Sequence, residues 1–291
     1  MRQPGSAFKP FIYAAALDMG YSPDSMILDA PLTINVRGSG PWSPKNYTRR
    51  YRGEVTLTTS LMNSLNTSTI RLQEAVGRDA VRRVAEDFGF GHNLASGPSL
   101  GLGVSETTLL DMTGAYAGIR NGGTAVRPYG LVELAIKGEQ TPLMGQVGGM
   151  GQRVISPQAA GELIGMMREV VAHGTGTRAQ LPGGRDVAGK TGTARKASGG
   201  GYARRYVAFF AGLVPVDNPR FSMVIVIDDP DTSRGGSTYG GGYISAPVFK
   251  ATMEGTLRLM DVPPDDIDTW LAAQADAERK RRATAARQAP A

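Results

Sequence analysis

The sequence predicts an α/β protein of the α+β type, in which an antiparallel sheet packs between helices. Three strand-like runs come close together, at 187–196, 205–214 and 221–228. Glycine-rich and Asp-Asn-Pro segments separate the runs, which is typical of an antiparallel meander. Residues 246–260 carry apolar side chains at helical spacing, so this stretch predicts a helix that covers one face of the sheet.

Composition excludes several classes of protein. The 291 residues include no cysteine, which excludes both disulfides and a thiol nucleophile. His92 and His173 lie far apart without ligand-like spacing, which argues against a metal site or a Ser-His triad. We therefore predict no metal and no cofactor. No stretch approaches the roughly 18 apolar residues of a membrane span, so we expect a soluble chain.

The net charge of +6 does not by itself indicate nucleic-acid binding. Part of it comes from the basic run 279–282, and no aromatic side chains interleave with that run to stack on bases. Arginine supplies 25 of the 32 basic residues and lysine the other seven. The few lysines are the better candidates where chemistry needs an amine that can lose its proton.

The first apolar stretch, 7–17, follows a turn at 1–5 and predicts a helix. Ser6 and Lys9 are three residues apart, so on a helix they share one face. Pro10 falls in the first turn, where a missing N–H group costs little. Ser6 is then either an N-cap beside a solvated Lys9, or a nucleophile with Lys9 as its base. This stretch alone favours the N-cap.

The middle of the chain reads as an irregular segment at 21–53 followed by helices. Ser64 and Asn66 lie inside the first helix, where they are indifferent helix formers and hint at an exposed or interrupted turn. We expect a hairpin or loop edge at 126–136 and a flexible glycine-rich segment at 144–151. The predicted helices span 55–76, 78–88, 106–119 and 157–172.

The run 187–194 places one ammonium group and two hydroxyls around a glycine. Gly192 has no Cβ, so another backbone can approach this strand closely. An edge strand of this kind can accept an extended peptide as an additional strand. Lys190, Thr191 and Thr193 can then hold a carboxylate at the end of that peptide.

Three short motifs occur once each and in order: Ser-x-x-Lys at Ser6, Ser-x-Asn at Ser64 and Lys-Thr-Gly at Lys190. This trio is typical of penicillin-binding proteins and class A β-lactamases. The chain resembles the penicillin-binding transpeptidases from its first residues to about Pro264. Segment 3–10 looks like the nucleophile segment of these transpeptidases. Segments 42–47, 53–57 and 121–123, in the N-terminal half of the chain, resemble the bifunctional, class A members. Segments 187–196, 206–215 and 239–249 look like the division-type class B members.

The resemblance implies the penicillin-binding/β-lactamase-like fold, with an all-helical subdomain, and a mechanism. Ser6 attacks the D-Ala-D-Ala amide of a peptidoglycan stem peptide or a β-lactam ring, and Lys9 takes its proton. Ser64 passes the proton to the leaving nitrogen, and Asn66 holds the acyl-side amide and stabilises Lys9. The N–H groups of Ser6 and Thr193 form an oxyanion hole. The carboxylate-binding set is Lys190, Thr191, Gly192 and Thr193.

The implied partners are the stem peptide, an amine acceptor, β-lactams and cell-division or elongation proteins. The resemblance also implies a catalytic domain outside the cytoplasmic membrane, held by an N-terminal anchor. We expect a transpeptidase domain at 1–264 that lacks the family's N-terminal strands, with apolar surface exposed in their place. A polar tail, helical or disordered, follows at 265–291.

Alternatives to a transpeptidase stay open. A β-lactamase or a β-lactam sensor shares the nucleophile, but a lactamase also needs a base that delivers water. No Glu-x-x-Leu-Asn segment lies between Asn66 and Lys190 to supply it. An inactive, truncated domain that only binds partners is the third alternative.

Overall fold

The computed structural model describes residues 1–36, 38–91, 93–198, 201–218, 220–231 and 239–288. Its main sheet is the predicted antiparallel meander, with spatial order β11-β10-β9. Lys190 of β9 lies opposite Ala211, and Gly192 lies opposite Phe209. The strands are β9 (Ala188–Ser198), β10 (Gly201–Val214) and β11 (Phe221–Asp228). Parts of the two predicted turns lie outside the described residues: Gly199 and Gly200 between β9 and β10, and Pro219 between β10 and β11.

The alternation of side chains along β10 gives the sheet two apolar faces. Phe209, Ala211 and Leu213 face one core, and Phe210 and Val214 face the other. The helices that cover the first face are α1 (Lys9–Asp18), α5 (Leu109–Arg120) and α6 (Pro157–Ala172). The second face packs against α7 (Gly241–Leu259). The predicted class, a sheet between helices, is therefore confirmed.

The predicted helix at 55–76 is wrong as one continuous element. The chain forms β4 (Gly53–Thr56), α2 (Leu57–Met62) and α3 (Asn66–Val76), with a break between the two helices. Ser64 has φ 54° in the break, a left-handed conformation that no helix interior allows. The interrupted turn that Ser64 and Asn66 hinted at is confirmed. The next helix is α4 (Arg78–Asp87).

The short strands correct two further expectations. Residues 126–136 do not form a hairpin, and 144–151 is not simply a flexible segment. Instead the chain reverses direction between the two stretches, and they pair with each other as antiparallel strands. The pairs are β5 (Thr124–Arg127) with β8 (Gly149–Arg153), and β6 (Glu133–Leu134) with β7 (Met144–Gly145).

Three short strands occupy the predicted irregular segment: β1 (Met26–Asp29), β2 (Ile34–Val36) and β3 (Gly40–Trp42). β1 pairs with β4 and places Asp29 opposite Gly53. β2 pairs with β3.

Two helix starts differ from the prediction. The helix expected from residue 106 begins at Leu109, because Thr107 pairs with Arg2 and the Thr108 hydroxyl caps the first turn. α7 begins at Gly241 rather than at residue 246, with Pro247 inside it. By contrast, α6 begins after the Ser156 cap and ends at Ala172 as predicted.

The C-terminal tail forms the helix α8 (Ile267–Gln288). Asp265 joins its start to the domain, because its carboxylate accepts the N–H groups of Asp186 and Asp217. Trp270 lies against Gly183. The division at residue 264 stays a prediction.

Candidate active site

Lys9 is buried at the start of α1, and oxygens from the break between α2 and α3 surround its amine. The Lys9 Nζ atom lies 2.7 Å from the Ser64 carbonyl oxygen, 3.1 Å from the Leu65 carbonyl oxygen and 2.7 Å from Asn66 Oδ1. The Ser64 Oγ atom lies 3.3 Å away. The structure thus brings the Lys of Ser-x-x-Lys together with the Ser and Asn of Ser-x-Asn.

These contacts rule out the alternative in which Lys9 is solvated. Ser6 is not the cap of α1 either, because it lies inside a 3-10 turn, Gly5–Phe8, and Phe8 occupies the cap position. Ser6 is half-buried, whereas Lys9 is fully buried. The structure therefore contradicts both parts of the structural interpretation, in which Ser6 is an N-cap and Lys9 is solvated.

The pKa of Lys9 is lowered well below its ordinary value, first because burial disfavours the charged amine and second because Lys190 is nearby. The Asp29 carboxylate opposes this by attraction. Burial also lowers the pKa of Lys190 to about 7. A buried amine whose pKa is lowered loses its proton more readily, so Lys9 is better able than an ordinary lysine to act as a base.

Among the described hydrogen-bond partners of the Lys9 amine, only the Ser64 hydroxyl can act as either donor or acceptor. Carbonyl oxygens only accept, so Lys9 donates to them, whereas the Ser64 hydroxyl can donate to a neutral amine. Its backbone has the left-handed φ of 54°. Such conformations cost free energy in a residue with a Cβ and occur often at functional sites.

β9 carries the Lys-Thr-Gly motif and lies at the edge of the described sheet. Lys190 is fully buried and donates to the Thr191 carbonyl oxygen at 3.0 Å. The Thr191 and Thr175 hydroxyls are 2.7 Å apart, and Thr193 Oγ1 accepts the N–H of Gly241 at 3.1 Å. Sequence reasoning did not identify Thr175 as part of this site.

Two glycines bring β9 against the turn that carries Ser6. A Cβ on Gly192 would lie 2.4 Å from the Pro4 oxygen and 3.0 Å from the Ala7 nitrogen. A Cβ on Gly5 would lie 2.4 Å from the Thr193 oxygen, and Gly5 has φ +57°. The predicted close backbone approach at Gly192 is confirmed, and the approaching backbone belongs to the residues that flank Ser6.

The arrangement combines a half-buried hydroxyl, a buried amine of lowered pKa, a second hydroxyl and an open strand edge. Together these groups can activate a nucleophile and hold an extended peptide. Among the described residues, no group of three or more His, Cys, Asp or Glu side chains could hold a metal ion. No helix in that same part of the chain is long and apolar enough to cross a membrane.

Comparison with known proteins identifies the family. Residues 1–254 match the model of the penicillin-binding protein transpeptidase domain. Penicillin-binding protein 1A of Neisseria lactamica is 35% identical over 269 residues, which cover 89% of this chain and 32% of that protein. The corresponding protein of Rickettsia felis is 42% identical over 135 residues, 46% of this chain and 17% of that protein. The chain thus spans about a third or less of the length of these curated relatives.

Solved structures show the same fold. The transpeptidase domain of penicillin-binding protein 3 from Burkholderia pseudomallei superposes with a TM-score of 0.72 at 26% identity, covering 91% of this chain and 81% of that one. The D,D-transpeptidase domain of a peptidoglycan glycosyltransferase from Eggerthella lenta gives 0.70 at 25% identity, with 89% and 66% covered. The chain belongs to the penicillin-binding protein transpeptidase domain family.

Proposed function

We propose that the domain is a serine D,D-transpeptidase, which cross-links peptidoglycan stem peptides through an acyl-serine and is acylated by β-lactams. The observation that carries the proposal is the placement of the Lys9 amine. It lies within 3.3 Å of Ser64 Oγ and 2.7 Å of Asn66 Oδ1, with its pKa lowered by burial and by Lys190.

In this proposal Ser6 Oγ attacks the carbonyl carbon of the penultimate D-Ala, and its proton passes to Lys9. Ser64 transfers a proton from Lys9 to the leaving nitrogen, so the amide bond breaks and terminal D-Ala departs. An amine of a second peptide then attacks the ester, which restores the Ser6 hydroxyl and forms the cross-link. The Lys9–Ser64 contact supports this route for the proton.

Oxyanion stabilisation fits the close packing of β9 against the Ser6 turn. The N–H groups of Ser6 and Thr193 are assigned to the developing negative charge. Because Gly5 and Gly192 have no side chains, these two backbone segments approach within contact distance. A donor of this kind is worth about a hundredfold or more in rate.

Substrate binding is assigned to β9. The stem peptide is held as an additional strand on its open edge, with the terminal carboxylate near Lys190 and the Thr191 and Thr193 hydroxyls. The half-buried Thr193 side chain and the buried charge of Lys190 support this assignment. We place this domain on the outer side of the cytoplasmic membrane.

Intact-protein mass spectrometry after incubation with a fluorescent penicillin tests the function. We expect one stable adduct on the parent chain and none on Ser6→Ala. An adduct that disappears within minutes would instead indicate a β-lactamase. The absence of any adduct on the folded parent would leave a binding role without catalysis.

Cross-linking itself needs a second assay, because β-lactam acylation reports only the first half of the reaction. Incubation with a stem pentapeptide and an amine acceptor is expected to release D-Ala and yield the cross-linked product. Release of D-Ala without that product would restrict the activity to carboxypeptidation.

A further inference from the structure

Asp29 and Asn46 form a buried pair directly beneath the N-terminus of α3, the helix that begins with Asn66. Asp29 is fully buried and Asn46 is 4% exposed. Asn46 Nδ2 lies 2.8 Å from Asp29 Oδ1 and 3.0 Å from Asp29 Oδ2. A buried carboxylate is costly unless it is hydrogen-bonded, so the pair needs a structural or functional reason.

The contacts of Asn46 define one orientation of its amide. Its Nδ2 atom also donates to the Arg50 carbonyl oxygen at 2.9 Å. Its Oδ1 atom accepts the N–H groups of Asn66 at 2.7 Å and Thr67 at 3.3 Å. Because carboxylates and carbonyls only accept while N–H groups only donate, a flipped amide would lose every one of these bonds.

Asn46 therefore caps α3 from a distant segment. Leu65 occupies the N-cap position and its apolar side chain cannot cap. Asp29 completes this cap, since it also accepts the N–H of Arg52 at 2.9 Å and the Thr67 hydroxyl. A negative charge beneath a helix N-terminus is favourable in itself.

The same segment holds the Asn66 side chain. Asn66 Nδ2 donates to the Lys45 carbonyl oxygen at 2.7 Å, which leaves Asn66 Oδ1 directed at Lys9. Both the backbone and the side chain of Asn66 are thus held by Lys45 and Asn46. The segment 42–47, which resembles the class A members, thus contributes polar atoms to the site.

We infer that Asp29 and Asn46 are positioning residues for the Lys9–Ser64–Asn66 cluster: the carboxylate orients the Asn46 amide, and that amide places Asn66 against Lys9. The inference rests on the proposed function, because the cluster matters for rate only if Lys9 acts on Ser6. The charged groups that face Lys9 are Lys190 from β9 and Asp29 from β1.

Exchanging the two residues tests the inference. Asp29→Asn leaves two amides facing each other at residues 29 and 46, and Asn46→Asp leaves two carboxylates facing each other there. The double variant restores one carboxylate and one amide, with an acceptor oxygen still beneath α3. We expect each single variant to slow acylation by fluorescent penicillin, by up to about 100-fold. The double variant is expected to recover much of that loss.

Two controls separate positioning from folding. Tyr47→Ala changes an exposed side chain of the same loop and is expected to acylate like the parent. Leu163→Ala opens a cavity in the core on α6 and reports what lost thermal stability alone does to the rate. If either exchange variant fails to fold, Asn46→Ala removes the orienting amide without repulsion. Folded variants that acylate at the parent rate would overturn the inference.

A titration of ¹³C-labelled lysines gives a second result that does not depend on activity. The chain has only seven lysines, so the Lys9 signal can be assigned. Asp29→Asn removes an attractive charge and should lower the Lys9 pKa, whereas Asn46→Asp should raise it. Asn46→Ala leaves the Asp29 charge in place, so loss of the Asn66 Oδ1 contact is what should lower the Lys9 pKa in that variant. An unchanged Lys9 pKa in Asn46→Ala would contradict the inference. If the parent does not react with penicillin, the proposed function fails, while this variant still tests the positioning.

Discussion

Buried amines define the site at the scale of single residues. Lys9 and Lys190 have no exposed surface, and burial is the largest cause of the lowered pKa of each. An amine of this kind reduces the stability of the folded state wherever the unfolded chain still binds its proton. The same desolvation makes Lys9 more able to accept a proton, which is the property that the proposed base requires.

Lys190→Met should stabilise the fold and slow acylation. Methionine fills a similar volume without a charge. We expect the free energy of unfolding to rise by about 1–4 kcal/mol, the range found when buried ion pairs are replaced by apolar side chains of similar volume. The folded pKa is about 7 and the ordinary value is 10.5. The parent therefore gains stability as pH rises between these values, and the advantage of the variant shrinks over the same range. Urea unfolding of both proteins from pH 6 to 10 measures this difference in the free energy of unfolding.

Lys250→Met on α7 is the matched control for this substitution. Lys250 is half-buried and outside the site, so its effect should stay within about 0.5 kcal/mol. If Lys250→Met raised the free energy of unfolding equally, the effect would come from methionine itself and not from removing a buried charge.

Gly192→Ala should slow acylation and destabilise the fold. The added Cβ would lie 2.4 Å from the Pro4 carbonyl oxygen. Because this distance is a steric clash, β9 and the Ser6 turn would have to move apart. Gly255→Ala in α7 is the control, since nothing lies within 4 Å of the new methyl group there. The free energy of unfolding of that control should rise by about 0.5–1 kcal/mol, because alanine has a higher helix propensity than glycine. Equal acylation rates in both variants would contradict the role of close packing.

At the scale of elements, α6 shows how a local signal fixes a helix end. The Ser156 hydroxyl accepts the N–H of Ala159 at 3.2 Å, and Pro157 occupies the first turn. The Ser156 N–H also donates to Asp18 Oδ1 at 2.7 Å, which joins the start of α6 to the end of α1. The cap therefore contributes both to the helix and to the packing of two elements.

Ser156→Ala is expected to lower the free energy of unfolding by about 1 kcal/mol, the usual cost of losing a side-chain cap. Thermal unfolding followed by circular dichroism measures it. Gln158→Ala changes an exposed side chain in the same turn and should have less than about 0.5 kcal/mol of effect. If Gln158→Ala is equally destabilising, the cap is not the cause.

At the scale of the whole molecule, two apolar cores on opposite faces of one sheet hold the domain together. The site lies where α1, the break before α3 and β9 meet, so its residues depend on packing across the first core. No described side chain of α8 is a hydrogen-bond partner of Lys9 or Lys190. Trp270 of α8 lies against Gly183, and Asp265, just before α8, accepts the N–H of Asp186.

Removal of residues 265–291 should therefore leave the rate of acylation unchanged while lowering the melting temperature. The loss comes from the Asp265 hydrogen bonds to Asp186 and Asp217 and from the Trp270 contact. Differential scanning fluorimetry and penicillin labelling of the shortened chain check both parts. A folded but unreactive shortened chain would contradict the predicted boundary at residue 264.

The sequence by itself determined the three-stranded meander, the limits of α6 and the three motifs that point to the family. These features depend on alternation, turn residues and caps, which are encoded by near neighbours in the chain. It also indicated the weak point near Ser64, because Ser and Asn compete for backbone hydrogen bonds.

Tertiary structure alone decided where the chemistry-bearing groups meet. The atoms around the Lys9 amine come from residues 55 to 57 positions later, and the cap of Asn66 comes from Asn46, 20 positions earlier. The pairing of β5 with β8 likewise joins segments that looked independent. Local patterns report backbone preference over a few residues, whereas burial, lowered pKa values and hydrogen bonds depend on segments that only the folded core brings together.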